Sequence, residues 1–346
     1  MIELVYLSEN NNRLTQEEYN KFLLEYYKNE YNARLKRIKW YQQYCSDFKI
    51  LLAIINGKPV GQSCAYKCTA VIHKQDTEWW WGVDTFVLPA MRGKGIGKKL
   101  QLKLHQDLPN FSSAWYSPSN GYIKRICGAN LLYRINFNYF PVSSYVTPII
   151  TNAAKKFLNK QLHFNHICKW KYLNYNNLFI NNRRYEEIKL EEKLTELLPL
   201  INKSLNQYDF YIKRDLNYFV WKYFLNPDLK YHTLLIYSNN NIPAGIIIFS
   251  EIFSKNLLLT PIYAVTLLDI FIDPNSNITT KMILTLIGQY YKTKGQYLDG
   301  ILSLENSSYF PVFRYPIKGN YLLSTYKGNI QKPYISYSDQ DMEQMI

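Results

Sequence analysis

Val87-Leu88-Pro89-Ala90-Met91-Arg92-Gly93-Lys94-Gly95-Ile96-Gly97-Lys98-Lys99-Leu100 is the stretch on which the reading turns. An apolar, aromatic run from Trp79 to Leu88 enters it, which predicts a strand. The apolar residues Leu100, Leu102 and Leu104 follow it, and a helix is predicted over Gly95–Gln106. Between them stand three glycines. With no Cβ in the way, glycine lets an anion approach the backbone, and the start of a helix turns several N–H groups and the positive dipole end toward it. Arg92, Lys94, Lys98 and Lys99 add charge, so the turn reads as a pyrophosphate site.

The spacing separates the known glycine loops. A dinucleotide fingerprint needs glycine at position 98 and a P-loop needs a hydroxyl at 99, and both positions are lysine. Arg-x-x-Gly-x-Gly, filled by Arg92, Gly95 and Gly97, remains.

Working outward, Met1–Leu7 predicts an opening strand, and Thr15–Tyr27 and Asn32–Tyr44 predict helices. Lys49–Ile55, the turn Asn56-Gly57 and Pro59–Cys68 form a hairpin signal. Ser113–Ser117 reads as a strand, Tyr122–Gly128 as a short helix and Leu131–Tyr145 as an aromatic strand. Asparagine-rich 172–184 is the expected linker. Beyond it the landmarks recur. Asn56-Gly57-Lys58-Pro59-Val60-Gly61 is echoed by Asn240-Asn241-Ile242-Pro243-Ala244-Gly245, and Asp84-Thr85-Phe86-Val87-Leu88-Pro89 by Asp269-Ile270-Phe271-Ile272-Asp273-Pro274. Tyr116–Asn120 likewise matches Leu302–Asn306. The expectation is a tandem α/β (α+β) fold, each module a mixed, mostly antiparallel central sheet flanked by helices. Residues 1–171 form the first module and 185–346 the second.

The Arg92–Gly97 loop after a strand ending Val-x-Pro resembles the acyl-CoA-binding motif of the GNAT (Gcn5-related N-acetyltransferase) superfamily, and element order over about residues 1–150 is similar to it. The resemblance implies an acyl-CoA-dependent N-acyltransferase whose co-substrate is acetyl-CoA or a longer acyl-CoA. Backbone from Arg92 through Gly93, Lys94, Gly95 and Ile96 to Gly97, with Lys98, would then hold the pyrophosphate. The pantetheine would pair with Phe86, Val87 and Leu88, an N–H near Val87 would face the thioester oxygen, and Asn120 is a further cofactor contact. Asp84 and Glu78 are the candidate bases for the amine, and Tyr133, in Leu132-Tyr133-Arg134-Ile135-Asn136-Phe137, the candidate proton donor to the thiolate. The family usually has glycine where Asn136 stands, and Tyr122 is the alternative donor. The second module carries Asn275-Ser276-Asn277-Ile278-Thr279-Thr280 where the loop should recur, without glycine or a basic residue, so it reads as a degenerate, non-catalytic module.

An acetyl group and the amine of an amino sugar, small metabolite or peptide are the expected substrates. A long-chain acyltransferase drawing on acyl-CoA or an acidic acyl carrier protein is the alternative. A non-catalytic CoA-sensing or nucleic-acid-binding module is another.

Composition fits a folded, soluble chain. Of 346 residues, 47% are hydrophobic, and only 14 Gly and 14 Pro exclude collagen-like or linker sequence. A formal charge of +14 suits an anionic partner without naming one. The basic and aromatic run Lys169-Trp170-Lys171 reads as a solvated face, and nucleic acid is not expected. Cys45, Cys64, Cys68, Cys127 and Cys168 form no CxxC pair, which predicts free thiols, a reducing compartment and a cytoplasmic protein. Leu257–Leu268 is broken by Pro261 and too short to span a bilayer. His163, His166 and Cys168 lack a second ligand cluster, so no metal is expected. Strand alternation allows core packing for Trp80 and pocket or interface exposure for Trp79 and Trp81.

Overall fold

The computed structural model describes residues 2–9, 14–45, 47–113, 130–134, 136–141, 183–254, 262–296, 298, 300–305, 321–324, 326–336 and 339. Strand β1 (Glu3–Tyr6) leads to helices α1 (Gln16–Tyr27) and α2 (Tyr31–Tyr44). Helix α1 starts at a reciprocal cap: Thr15 accepts from the Glu18 N–H, and the Glu18 carboxylate accepts from the Thr15 N–H. Strands β2 (Phe48–Ile55), β3 (Lys58–Ile72) and β4 (Gln75–Val87) follow, then α3 (Ile96–Asp107) and the short β5 (Phe111–Ser113). Asn56 and Gly57 both take left-handed φ, 50° and 72°, as a tight hairpin turn requires.

The aromatic run after Asn130 is not one strand but two, β6 (Asn130–Arg134) and β7 (Asn136–Pro141). The second half contributes β8 (Tyr185–Ile188), α4 (Leu190–Leu205), β9 (Phe210–Ile212), α5 (Leu216–Phe219) with a π-turn over Val220–Phe224, β10 (His232–Tyr237), β11 (Pro243–Ser254) and β12 (Ile262–Ile272). Helix α6 (Thr280–Thr293) and strands β13 (Gly300–Glu305), β14 (Tyr321–Ser324) and β15 (Pro333–Tyr334) complete it.

Two sheets result. The first runs β1-β2-β3-β4-β5-β14-β6, with β9 added at the far end of β3 and β15 beside it; the second runs β7-β13-β12-β11-β10-β8. Both are mixed. β5 lies parallel to β4, and β13 parallel to β12, each after a helix that crosses one face.

The plan repeats in detail. A register shift opposite Gly61 in the first hairpin recurs at Gly245 in the second. The Leu88 N–H donates to the Val60 carbonyl and the Asp273 N–H to the Ala244 carbonyl, both at 2.9 Å. A Cβ on Gly61 would come within 3.2 Å of the Phe86 carbonyl and the Val87 side chain, and one on Gly245 within 2.8 Å of Ile272. Glycine at both places lets the helix that follows close onto its strand.

The expected division at 172–184 does not match the sheets. β7 belongs by sequence to the first half but pairs with β13, and β14 from the second half stands between β5 and β6. The first sheet thus takes β9, β14 and β15 from the second half and the second sheet takes β7 from the first, because an unpaired edge is satisfied by whichever strand the topology brings to it.

A single core joins the sheets. Phe22, Trp79, Trp81 and Phe86 from the first pack in one cluster with Leu194, Ile201 and Phe219 and with Ile246, Ile248 and Phe271 of the second. Trp80 faces the other way, onto Leu100 and Leu104 of α3. Trp79 and Trp81 are therefore core residues, against the expected pocket or interface exposure, because the second half covers the face they point to.

At its centre lies a buried ion network. The Arg214 guanidinium reaches Asp339 at 2.7 Å and Asp269 at 3.1 Å, and donates to the Ile212 carbonyl and Ser336 hydroxyl. The Asp269 carboxylate also accepts from Tyr223 and Tyr334.

Arg214→Leu leaves two carboxylates buried without their cation and should cost about 3–5 kcal/mol in urea unfolding. Exchanged strands make a second outcome specific. Residues 1–175 expressed alone should lack a cooperative melting transition and recover one when co-expressed with 176–346. A fragment that melts cooperatively by itself would contradict the shared core.

Candidate functional site

The site is built around a bulge in β4. Register passes from Cys64 opposite Val83 to Gln62 opposite Phe86, so Asp84 and Thr85 together face the single residue Ser63. Asp84 takes φ 52°, a left-handed conformation that costs a non-glycine residue energy and must be held by its surroundings. The Tyr27 hydroxyl donates to one carboxylate oxygen, and Gln62 Nε2 donates to the other at 3.2 Å. Tyr19 in turn donates to Gln62 Oε1 at 3.0 Å, which orients the amide. Beneath the bulge, Ser63 and Thr85 hydroxyls meet at 2.6 Å, and Gln101 Nε2 from α3 donates to both.

Electrostatics assign the charges. Burial first, and Asp84 next, push the Tyr27 hydroxyl far above its ordinary value, so it stays a neutral donor. Burial opposes the charge on Arg34, but Asp84 and Tyr27 outweigh it, so its guanidinium is held charged. That guanidinium lies 5.4 Å from the centre of the Tyr27 ring.

The loop after β4 forms as the glycines require. Gly93 and Gly95 have φ of 79° and 73°, and nothing lies within 4 Å of where their Cβ atoms would stand. Gly95 caps α3 with no side chain on the helix amides. Lys99 N–H to the Gly95 carbonyl, at 3.1 Å, is the opening bond of the helix. The N–H groups of Ile96, Gly97 and Lys98 thus precede the helical ladder, as the first turn of any helix does. Arg92 departs from expectation: its N–H already donates to the Pro89 carbonyl and its Nε to the Val87 carbonyl, so it braces the loop.

Successive N–H groups of a strand point to opposite edges. Since the Leu88 N–H points to β3, the Val87 N–H points the other way, past the end of β5, whose pairing with β4 is at Trp80 and Trp81. In the second sheet the matching donors are taken. The Ile272 N–H donates to Ser204 Oγ at 2.8 Å, the Ile270 N–H to the Tyr334 hydroxyl at 3.0 Å, and Thr279 caps the helix start on Met282. Asp269, which corresponds to Asp84 in sequence, pairs with Ile248 beside a register shift and is locked to Arg214.

Other expected site residues fall differently. Glu78 pairs with Lys67 at 2.6 Å and accepts from Trp80 Nε1, and those bonds hold its carboxyl below the ordinary range. Six residues of strand also separate it from Asp84, roughly 20 Å. It is therefore not brought to the loop. Tyr133 lies on β6 beside Leu322 of β14; its side chain, with Asn120 and Tyr122, lies outside the described residues. Phe86 and Leu88 are buried, and Lys94 and Lys98 exposed. Among the described residues, no group of three His, Cys, Asp or Glu side chains could hold a metal ion. No helix among them is long and apolar enough to cross a membrane.

Sequence reasoning missed Tyr27, Gln62 and Tyr19. One cue was present: Gln62 stands directly after the glycine of the hairpin, facing the strand that carries Asp84.

Comparison with known proteins agrees with this geometry. Residues 14–113, from the approach to α1 through β5, match the acetyltransferase (GNAT) family. No curated protein sequence matches the chain. The fold is similar to a probable N-acyltransferase from Enterococcus faecalis, at TM-score 0.60 and 10% identity, covering 94% of this chain and 72% of that one. A GCN5-related N-acetyltransferase from Anabaena variabilis gives TM-score 0.59 at 14% identity, covering 93% and 72%. An N-myristoyltransferase from Saccharomyces cerevisiae with bound myristoyl-CoA gives 0.54 at 11%, covering 95% and 83%. The glycine loop, the bulged strand before it and the elements around them all lie within residues 14–113, the part of the chain that matches the acetyltransferase (GNAT) family.

Proposed function

We propose that the chain transfers the acyl group of an acyl-CoA to an amine, with one working site at the β4 bulge. The observation that carries this is the contrast between two equivalent places. In the first half, the N-cap of α3 is Gly95, which has no side chain to cap the helix, and the Val87 N–H points away from β3 with no acceptor among the described residues. In the second half, Ser204, Tyr334 and Thr279 occupy the matching donors. The second half accordingly serves as a non-catalytic partner that completes the core and walls the acceptor side through the π-turn packed on α2. Trp40 Nε1 donates to the Trp221 carbonyl there at 3.1 Å. Tyr211 lies at the other end of β3, where β9 pairs with Ala70–Ile72.

In this reading the amides of Ile96, Gly97 and Lys98 receive the pyrophosphate, and Val87 N–H stabilises the thioester oxygen as it becomes an oxyanion. The amine nitrogen attacks the thioester carbon, the carbon–sulfur bond breaks, and the amine proton passes to the Asp84 carboxylate, directly or through water. Tyr27 and Gln62 hold that carboxylate in place. Tyr133 remains the proposed donor to the thiolate. Amino sugars, small amines and peptide amines are the acceptor class. The exposed Arg92, Lys94, Lys98 and Lys99 suit the phosphates of CoA, and an acidic carrier protein is the second reading of that charge. Cys45, Cys64 and Cys68, which form no disulfide among the described residues, fit a cytoplasmic setting.

Gly97→Val tests the loop with little cost to the fold, since a Cβ there meets only Val87 at 3.8 Å. Calorimetry should show CoA binding weakened by about tenfold or more, equivalent to about 1.4 kcal/mol. Ser204→Ala should leave it unchanged, and an equal loss from both would remove the single-site reading. Asp84→Asn should reduce turnover most near neutral pH and least at high pH, where the amine is already unprotonated. A loss independent of pH would make Asp84 a purely structural residue.

A further inference from the structure

Four aromatic rings close the α1 side of β4 beside the bulge. Phe86 is buried on that face, and Tyr26 of α1 stacks on it with ring centres 3.7 Å apart at 12°. Phe22 stacks at 5.2 Å, and Tyr27 meets Phe86 edge-on at 5.1 Å. Tyr26 and Tyr27 also pack edge-to-face on each other at 4.9 Å. The opposite face is tightly packed as well, since a Cβ on Gly61 would stand within 3.3 Å of both Val87 and Ile96.

We infer that this site accepts a short acyl group and that Tyr26, stacked on Phe86, sets the length limit. The inference rests on the acyl-CoA reading above. If the pyrophosphate is at Ile96–Lys98 and the thioester at Val87, the acyl tail leaves along β4 toward Asp84. A two-carbon group ends before the rings. An eight-carbon tail has to part Tyr26 from Phe86. Phe22 and Phe86 are buried and Tyr27 is tied through its hydroxyl to Asp84. Tyr26, half-buried at the end of α1, is the ring that must give way. Burial of each further methylene would otherwise strengthen binding, so a site open to long chains would favour octanoyl-CoA strongly.

The test is calorimetry on the full chain with CoA, acetyl-CoA and octanoyl-CoA, for the natural sequence, Tyr26→Ala and Tyr26→Phe. The natural protein should bind octanoyl-CoA at least about tenfold more weakly than acetyl-CoA. Tyr26→Ala should shift that ratio about tenfold or more toward octanoyl-CoA, and Tyr26→Phe, which keeps the ring, should restore it. Thermal melts check folding, and Phe86→Leu opens the same stack should Tyr26→Ala fail to fold. Octanoyl-CoA bound as tightly as acetyl-CoA by the natural protein, or a ratio unmoved by both openings of the stack, would overturn the length limit while leaving the acyl-CoA site standing. Absence of binding by CoA and both thioesters would remove the site and the length limit together.

Discussion

A bulge adds a residue to one strand without adding one to its neighbour, and the strand must turn to absorb it. In β4 this falls at Asp84 and Thr85, opposite Ser63, and the features of the site follow from that geometry. It puts a carboxylate into a left-handed backbone conformation where neighbours must hold it. It also gives Ser63, Thr85 and Gln101 a shared polar contact that ties the bulge to α3. The loop that follows β4 is then delivered to the start of that same helix. Strand edge and helix amides are thereby fixed relative to each other by packing rather than by loop length.

The second sheet also has a register shift, one position away, where Leu268 is the extra residue between the Leu267–Phe249 and Asp269–Ile248 pairs, and the two corresponding aspartates have opposite outcomes. Asp84 is half-buried and accepts hydrogen bonds from Tyr27 and Gln62. Asp269 is buried and bound to Arg214, with Tyr223 and Tyr334 completing its shell. A buried carboxylate needs a charged partner and full hydrogen bonding, and a residue so satisfied has little left to offer a substrate. The C-terminal segment seals the second place, since Tyr334 and Asp339 both come from it.

Joining the halves through one core constrains both. Trp79 and Trp81 lie between the sheets, and β7 and β14 are each held in the sheet of the other half. α1 and α2, which carry Tyr19, Tyr26 and Tyr27, are packed into this core from one side, while α3 packs from the other. The aromatic stack beside the bulge is therefore backed by both halves of the chain.

Local pattern was enough for much of this. Helical spacing, the Asn56-Gly57 turn and the strand-glycine-helix sequence around Gly95 predict α1, α2, the first hairpin and α3 to within a few residues. The paired landmarks at Gly61 and Gly245, and at Asp84 and Asp269, predict the repeated plan. These are readable because each depends on residues a few positions apart. What folding alone decided depends on residues far apart in the chain. Tyr27 and Asp84 are 57 positions apart, and Tyr19 and Gln62 are 43, so no local period announces their contact. Glu78 looked equivalent to Asp84 until strand rise placed it at the other end of β4 beside Lys67. Exchange of β7 and β14 is also invisible in composition. Either strand pattern satisfies any edge with the right register, and the choice between edges is made by the packing of the whole core.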